Sequence, residues 1–132
     1  MDLVSIIIPY YKKKKYISTT INSAISQSYK NIEIIIVYDD ENDDDLKLLE
    51  EIKKKDERIR IIKNKKKMGA GLSRNIGISS STGNYIAFLD ADDTWEADKL
   101  SKQMSFMTDN NYLASHTSYQ IVDEYRNIIG NR

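Results

Sequence analysis

Two short and almost uninterrupted runs of aliphatic residues, separated by an amphipathic stretch, constrain the fold of this sequence most strongly. Residues 3–8 (LVSIII) and 32–37 (IEIIIV) are typical of strands that are buried on both faces of a parallel sheet. Between them, over residues 16–29, apolar residues recur at helical spacing. Because neighbouring parallel strands need a crossover, usually a helix, the sequence predicts a strand–helix–strand unit in which Pro9 ends the first strand.

Strand-like and helix-like patterns alternate along the rest of the chain. The predicted strands are residues 58–62 and 85–89, with one or two more in 112–129, and the predicted helices lie around residues 46–52, 72–80 and 96–108. An alternation of this kind places helices on both faces of a parallel sheet and joins the strands by right-handed crossovers. We therefore predict an α/β fold with a doubly wound, mostly parallel sheet.

Composition limits the classes of function. A chain of 132 residues is long enough for one domain with a real core. Lys+Arg and Asp+Glu balance at 20 each, so no overall field favours nucleic acid or an anionic membrane. The absence of cysteine excludes disulfides and thiolate metal sites. No apolar run reaches the length of a membrane span and no signal peptide is recognisable, so we expect no transmembrane segment and a cytoplasmic location.

Three carboxylates, Asp90, Asp92 and Asp93, directly follow the predicted strand at residues 85–89. In open α/β sheets, ligands bind outside the carboxyl ends of the strands. Carboxylate oxygens suit hard cations such as Mg²⁺ and Mn²⁺, so this D-x-D pattern predicts a metal clamp for a phosphorylated ligand. The alternative is a polar turn in which Asp92 or Asp93 caps the helix after Trp95.

Five segments occur in an order and at a spacing that resemble a known family. They are residues 4–11 (VSIIIPYY), 26–29 (SQSY), 33–39 (EIIIVYD), 71–77 (GLSRNIG) and 83–93 (GNYIAFLDADD). Over roughly residues 3–125 the chain resembles the nucleotide-sugar-binding part of family-2 inverting glycosyltransferases with the Rossmann-like GT-A fold. The whole sequence, residues 1–132, is therefore expected to form one donor-binding domain that lacks the C-terminal acceptor-binding part.

The resemblance implies a pocket for the nucleotide. Pro9 and Tyr11 would line it, and an aromatic ring there can stack on a base. Asp39 would accept a hydrogen bond from the uracil imide N–H, so a UDP-sugar is the favoured donor. The chain departs from the family at Tyr38, where most members carry another Asp, and at residues 40–41, where they carry Gly-Ser.

The resemblance also implies residues for the diphosphate. The basic loop at residues 63–71, with Gly71, can offer backbone N–H groups and cations to phosphates. Arg74 and Asn75 match a family Arg-Asn pair on the helix that faces the donor. Arg74 would contact the diphosphate or the nucleotide, although an exposed surface charge is the alternative.

At the D-x-D pattern, the resemblance implies Asp92 as the direct ligand of Mn²⁺ or Mg²⁺. Asp90 would contact the ribose or reach the metal through water, and Asp93 would support the sugar side. In this family the cation bridges the two phosphates and neutralises the charge that develops on the leaving nucleoside diphosphate. Inverting transfer also needs a general base for the acceptor hydroxyl.

The catalytic base is not identified in this sequence. Asp123 and Glu124 are the last acids, and neither lies in a base motif, so we expect the base outside this chain and expect no efficient transfer by these residues alone. The resemblance implies a saccharide or lipid-linked acceptor, a role in cell-envelope polysaccharide synthesis and association with the cytoplasmic membrane face. The sequence is compatible with a homodimer.

Two alternatives belong to other functional classes. A catalytically silent nucleotide-sugar-binding module would keep the donor residues and lack turnover. A receiver-like, phosphate-binding regulatory domain has a similar length and alternation, but it needs an acidic pair after its first strand, where this chain has Pro9, Tyr10 and Tyr11.

Overall fold

The computed structural model describes all residues from 1 to 132. Its strands are β1 (Val4–Tyr10), β2 (Ile32–Tyr38), β3 (Ile59–Lys63), β4 (Tyr85–Phe88), β5 (Gln120–Val122) and β6 (Ile128–Asn131). Its helices are α1 (Lys14–Ile25), α2 (Leu46–Lys53), α3 (Ala70–Ser80) and α4 (Lys99–Asn110). The first four strands form a parallel sheet in the order β3-β2-β1-β4, and β5 pairs with β6 in a separate antiparallel hairpin.

The strand order reverses between β1 and β4. From β1 the chain steps outward to β2 and β3, and then returns to place β4 on the other side of β1. Because crossovers are right-handed, a reversal of direction moves the connecting helix to the opposite face. Accordingly, α1, α2 and α4 share one core with the sheet, whereas α3 packs on the other face, with Gly77 against Ile7. The predicted α/β fold is confirmed, and β1 and β4 flank its switch point.

The main core lies between the sheet and the three helices on its larger face. The isoleucines of β1 and β2 that point to this face are fully buried. The apolar residues at helical spacing are buried there as well: Ile17, Ile21 and Ala24 in α1, Leu49 and Ile52 in α2, and Leu100, Met104 and Met107 in α4. Ile25 and Leu46 share this spacing and are only partly buried. Periodicity therefore predicted the inner faces of these helices correctly.

The prediction that Pro9 ends the first strand is wrong. β1 continues to Tyr10, and Pro9 is paired with Val37. The Ile7 carbonyl accepts from Leu89 after β4, whereas the Tyr10 carbonyl accepts from the β2 side. By strand alternation Pro9 faces the β4 side, where β4 has already ended at Phe88, so its missing N–H costs no ladder bond.

The apolar run at residues 85–89 favours a buried strand, and this expectation is wrong for two of the four residues of β4. β4 is an edge strand, in which Ile86 and Phe88 are 37% and 49% exposed while Tyr85 and Ala87 pack against the core. A run of apolar residues does not reveal whether another strand lies beside it. α3 packs closely on the sheet, since a Cβ on Gly77 would lie 2.5 Å from Cγ2 of Ile7.

The residues at the N-cap positions of α2 and α4 do not cap these helices through their side chains. Asp45 and Asp98 occupy the N-cap positions of α2 and α4, and neither makes a side-chain cap bond. Asp45 instead accepts from the Tyr10 hydroxyl at 2.6 Å. Because α4 begins at Lys99, the capping alternative for Asp92 or Asp93 is excluded.

The β5–β6 hairpin accounts for the strands predicted in residues 112–129. Asp123 closes its turn, since one carboxylate oxygen accepts from the backbone N–H groups of Tyr125 and Asn127 at 2.9 Å each. None of the helices combines the length and the apolar character required to cross a bilayer.

Candidate active site

Loops from all four parallel strands form the candidate site at the carboxyl edge of the sheet. The loop after β1 carries Tyr11, and Pro9 lies just before it within the strand. The loop after β2 begins with Asp39, the loop after β3 begins with Asn64, and the loop after β4 begins one residue before Asp90. The fold therefore gathers the ends that the sequence predicted to share one edge.

Asp39 is buried, at 3% exposure, and accepts three hydrogen bonds. Its Oδ1 accepts from Nδ2 of Asn64 at 2.8 Å and from the Met68 N–H at 2.7 Å. Its Oδ2 accepts from the Gly69 N–H at 2.8 Å. A carboxylate has about four lone-pair positions, so one remains on Oδ2 for a further donor. Asp39 thus fixes the loop between β3 and α3 as part of the fold.

This anchoring changes the expectation for the basic loop at residues 63–71. Two of its backbone N–H groups, those of Met68 and Gly69, are bonded to Asp39 and are not free for a diphosphate. Gly69 has φ +89°, a conformation that favours glycine at the start of α3. Gly71 lies exposed in the first turn of α3 with no atom within 4 Å of its Cβ position, which leaves room for a ligand.

Asp90 and Asp92 differ from Asp39 because they lie at the surface and each pairs with one cation. Arg74 contacts Oδ1 of Asp90 at 2.8 Å, and Lys13 contacts Oδ2 of Asp92 at 3.0 Å. The carboxylate side chains are 51% and 41% exposed, respectively. Ion pairs this exposed contribute little to stability, so their cations can exchange partners at low cost.

Asp93 lies in the turn that the Asp93 N–H closes onto the Asp90 carbonyl at 3.0 Å. Loss of water around its carboxyl, together with the charges of Asp92 and Asp90, raises the pKa of Asp93. The charges of Arg126 and Lys13 act in the opposite direction and only partly offset these effects.

The carboxylates fit a cation that is shared with a ligand. No three acidic or histidine side chains converge on one point, so the protein alone does not form a complete cage. Mg²⁺ in phosphate-transfer sites is usually held by one or two carboxylates together with substrate phosphates. Asp90 and Asp92 offer such hard oxygen donors at the surface.

A surface cleft of about 260 Å³ lies beside Tyr11. It is lined by Tyr11, Lys12, Asp40, Glu41, Asn42 and Lys67. The Lys67 ammonium stands 3.8 Å from the centre of the Tyr11 ring, a distance typical of a cation–π contact. Lys12 and Lys67 lower the pKa of the Tyr11 hydroxyl. A base that stacks on the face covered by Lys67 must displace that side chain.

The departure at Tyr38 has a structural explanation. Its ring stacks on that of Tyr10, with centroids 5.4 Å apart and planes 9° from parallel. The Tyr38 hydroxyl donates to the Asn42 carbonyl, and the Tyr10 hydroxyl donates to Asp45. The pair therefore holds the acidic loop at residues 40–45 at its middle, Asn42, and at its end, Asp45, and residues 40–42 of this loop form one wall of the cleft.

Consecutive residues of α3 reach Asp39 through Asn64 and Asp90 directly. Ser73 accepts at its Oγ from Nδ2 of Asn64 at 3.1 Å, and Asn64 in turn contacts Asp39. Arg74, the next residue, pairs with Asp90. Asn75 is exposed on the same helix, and Pro9 lies within the sheet. The first turns of α3 thus connect the Asp39 site to the Asp90 site.

Sequence reasoning did not identify four residues of this arrangement: Lys13, Asn64, Lys67 and Ser73. Asn64 carried a signal, because it is the one uncharged residue in the run at 63–67 and directly follows a predicted strand. The two lysines carried none, since each belongs to a run of similar residues and only the fold brings it to a particular partner.

The last acids of the chain are engaged elsewhere. Hydrogen bonds from Asn127 lower the pKa of Asp123, and the Lys15 ammonium, 2.8 Å away, lowers that of Glu124. A lowered pKa makes a carboxylate a weaker general base.

The sequence is similar to a known protein family and to individual known proteins. The family model described as "Glycosyl transferase family 2" matches residues 5–131. An uncharacterized glycosyltransferase of Rickettsia felis is 46% identical over 121 residues, which are 92% of this chain and 20% of that protein. The UDP-Glc:alpha-D-GlcNAc-diphosphoundecaprenol beta-1,3-glucosyltransferase WfaP of Escherichia coli is 45% identical over 125 residues, which are 95% of this chain and 49% of WfaP.

A solved structure shares the fold. The crystal structure of S. aureus TarS 1-349 in complex with UDP-GlcNAc superposes with a TM-score of 0.75 at 25% identity, over 82% of this chain and 32% of that one. This chain therefore spans between one fifth and one half of the length of these similar proteins.

Proposed function

The chain belongs to glycosyl transferase family 2, and from that premise we propose that it binds the UDP-sugar donor of a metal-dependent, inverting sugar transfer. One observation carries the proposal: α3 reaches buried Asp39 through Asn64 and surface Asp90 through Arg74, and Asp92 lies two residues beyond Asp90 in the same loop. The family match favours this reading over a receiver-like module. The silent-binder alternative shares the same donor site and differs only in turnover.

The cleft beside Tyr11 is the proposed nucleoside site. Asp39 keeps one acceptor position on Oδ2, which suits the imide N–H of uracil. Tyr11 offers a ring for stacking once Lys67 moves off its face, and Pro9 is proposed to line the pocket from the end of β1. WfaP is named for a UDP-Glc donor and TarS was crystallised with UDP-GlcNAc, which supports uridine as the base.

The diphosphate is proposed to lie between α3 and the loop after β4. Its negative charge would draw Arg74 and Lys13 from Asp90 and Asp92, and the freed carboxylates would then hold Mn²⁺ or Mg²⁺ together with the phosphates. Gly71 and Asn75 lie on the same side of α3 as these groups in the proposed pose, and Asp93 supports the sugar. When bound, the cation supplies Lewis-acid stabilisation of the leaving diphosphate.

The acceptor and its general base are proposed to come from outside residues 1–132. Asp123 is held by its own turn and Glu124 by Lys15, which leaves both poorly suited as bases. WfaP is named for a diphosphoundecaprenol-linked acceptor, and we propose a lipid-linked saccharide of that kind and a role in the cell envelope.

The test is thermal unfolding of the chain with UDP and GDP, each with and without Mn²⁺. A ligand that binds only the native state stabilises it by about 2.7 kcal/mol at a hundredfold excess over Kd. We expect UDP to raise Tm, and to raise it further with Mn²⁺, while Asp92→Ala removes only the Mn²⁺-dependent part. Absence of any shift with either nucleotide and metal would overturn the proposal.

A further inference from the structure

The segment that carries the surface carboxylates is tied to α1 by polar side chains. Thr20 Oγ1 donates to the carbonyl oxygen of Ala91 at 3.0 Å. Ser23 Oγ accepts from the N–H of Trp95 at 3.2 Å. These bonds join residues about 70 positions apart in sequence, so they belong to the tertiary structure alone.

Gln27, just after α1, holds the other end of the same segment. Its Nε2 donates to the Glu96 carbonyl at 2.8 Å, and its Oε1 accepts from the Leu100 N–H at 3.0 Å. The neighbouring Ser28 N–H donates to the Ala97 carbonyl at 2.9 Å. Gln27 therefore fixes the approach to α4 from both its donor and its acceptor side.

Because these side chains are buried, loss of their hydrogen bonds would destabilise the folded state. Thr20 and Gln27 are fully buried, and they share the inward side of α1 and its C-terminal turn with Ile17, Ile21 and Ala24. A buried polar group that lacks a partner lowers stability by on the order of 1–3 kcal/mol, whereas an apolar residue at the same position needs no hydrogen bond. Their polar groups are satisfied chiefly by the backbone of residues 91–100.

The residue that Thr20 contacts lies between the surface carboxylates Asp90 and Asp92. Ala91, which Thr20 holds, separates Asp90 from Asp92 and is itself buried, at 4% exposure. The ion pairs of Asp90 and Asp92 are exposed and give little constraint on the backbone. The backbone position of Asp90 and Asp92 is therefore set by the contacts that their loop makes with α1.

Building on the proposed function, we propose that Thr20, Ser23 and Gln27 are positioning residues that set the geometry of Asp90 and Asp92 for a divalent cation and a donor diphosphate. This assigns a role to the SQSY segment, whose glutamine has no part in the donor pocket itself. Groups that orient metal ligands without touching the metal commonly change metal affinity by about 10–100-fold when removed.

The test uses a matched pair of variants at one site. Thr20→Val keeps the shape and removes the donor, whereas Thr20→Ser keeps the hydroxyl. We expect Thr20→Val to weaken UDP binding about tenfold with Mn²⁺ present and to leave metal-free UDP binding unchanged, and Thr20→Ser to retain most of the wild-type affinity. Gln27→Met should in addition speed hydrogen exchange of the Leu100 amide, a readout that is independent of any ligand.

Ser5→Ala is the control for general destabilisation. Ser5 is fully buried and its Oγ bonds to Glu33 at 2.6 Å and to the Gly83 N–H at 2.9 Å, at the opposite end of β4 from the carboxylates. It should lower Tm and leave the Mn²⁺-dependent gain in UDP affinity intact. Should Thr20→Val not fold, Ser23→Ala at a half-buried position replaces it, with faster exchange of the Trp95 amide expected.

The outcomes separate the two proposals. If wild-type protein binds UDP more tightly with Mn²⁺ and Thr20→Val loses no more of that gain than Ser5→Ala, the positioning role is overturned alone. Equal losses with and without Mn²⁺ would also overturn it, in favour of a purely structural role. If wild-type protein shows no Mn²⁺-dependent gain, the proposed function fails and the positioning role fails with it.

Discussion

Asp39 and the pair Asp90 and Asp92 occupy the same edge of the sheet, but the protein holds them in opposite ways. Asp39 is buried and accepts from two backbone N–H groups and one amide, all within 2.8 Å. Asp90 and Asp92 are exposed, and each meets a single long cationic side chain. One carboxylate is integrated into the fold, while the other two have partners that a ligand can replace.

The difference shows how one site can combine a fixed part with an exchangeable part. Rigid groups are suited to reading a base, since a recognition element that is already in place loses little entropy on binding. Phosphates and a cation need charges that can be redistributed, which exposed ion pairs allow. α3 connects the two parts through Ser73 and Arg74.

The largest expected effect is a difference in stability between a variant of Asp39 and a variant of Asp92. Asp39→Ala leaves one buried and two partly buried donors without their acceptor and should lower the free energy of unfolding by on the order of 3 kcal/mol. Asp92→Ala removes one exposed ion pair and should change it by no more than about 1 kcal/mol. Urea denaturation of both variants, without ligand, measures the contrast. Equal losses would show that Asp39 is not an anchor of the fold.

A smaller effect sharpens the assignment of base reading to Asp39. In Asp39→Asn the charge assistance is lost and one of the two oxygens becomes an NH₂ donor. That donor faces either Asn64 and the Met68 N–H, or the Gly69 N–H together with the uracil imide. We expect roughly tenfold weaker UDP binding, about 1.4 kcal/mol, with GDP affected much less. Calorimetric titration with both nucleotides checks this. An equal loss for the two nucleotides would mean that Asp39 does not distinguish the bases.

The smallest effect concerns Asp93 and its dependence on pH. Because the pKa of Asp93 is raised, the folded state binds this proton more tightly than the unfolded state, and ionised Asp93 opposes folding. Asp93→Asn should therefore raise Tm slightly at neutral pH in the absence of metal. The gain should shrink as pH falls through the raised pKa and disappear below the ordinary value of about 3.9.

Thermal unfolding of Asp93→Asn and wild-type protein across that pH range gives the measurement. Asp123→Asn is the opposite control, since hydrogen bonds from Asn127 lower the pKa of Asp123 and its charge favours the folded hairpin. A lower Tm for Asp93→Asn at neutral pH would indicate that the charge of Asp93 stabilises the turn. Asp93 would then resemble Asp39, as a carboxylate that supports the fold.

The sequence predicted the layers of the fold because they depend on local periodicity. The isoleucine runs of β1 and β2 and the spacing of Ile17, Ile21 and Ala24 give the same answer wherever the neighbours lie. The burial of β4 and the end of β1 at Pro9 were predicted wrongly, since both depend on which strand lies alongside. Edge and centre positions are properties of the sheet and are absent from any single segment.

The candidate site shows the same division at the level of side chains. That Asp39, Asp90 and Asp92 follow strands was evident from the order of residues, and this alone places them at one edge of a parallel sheet. Their partners were not evident: Met68 and Gly69 lie about 30 residues from Asp39, and Lys13 is one of four consecutive lysines. Nothing local distinguishes a lysine that meets Asp92 from its neighbours.

The sequence by itself thus determined the α/β class, the inner faces of the helices, the family and the carboxylates at the strand ends, because each is encoded in short-range pattern and residue order. Only the tertiary structure decided which carboxylate is buried and which is exchangeable, and that α1 supports the loop after β4 through Thr20, Ser23 and Gln27. The physical reason is that burial and hydrogen-bond partners are set by the surrounding elements, whereas chemical type is set by the residue.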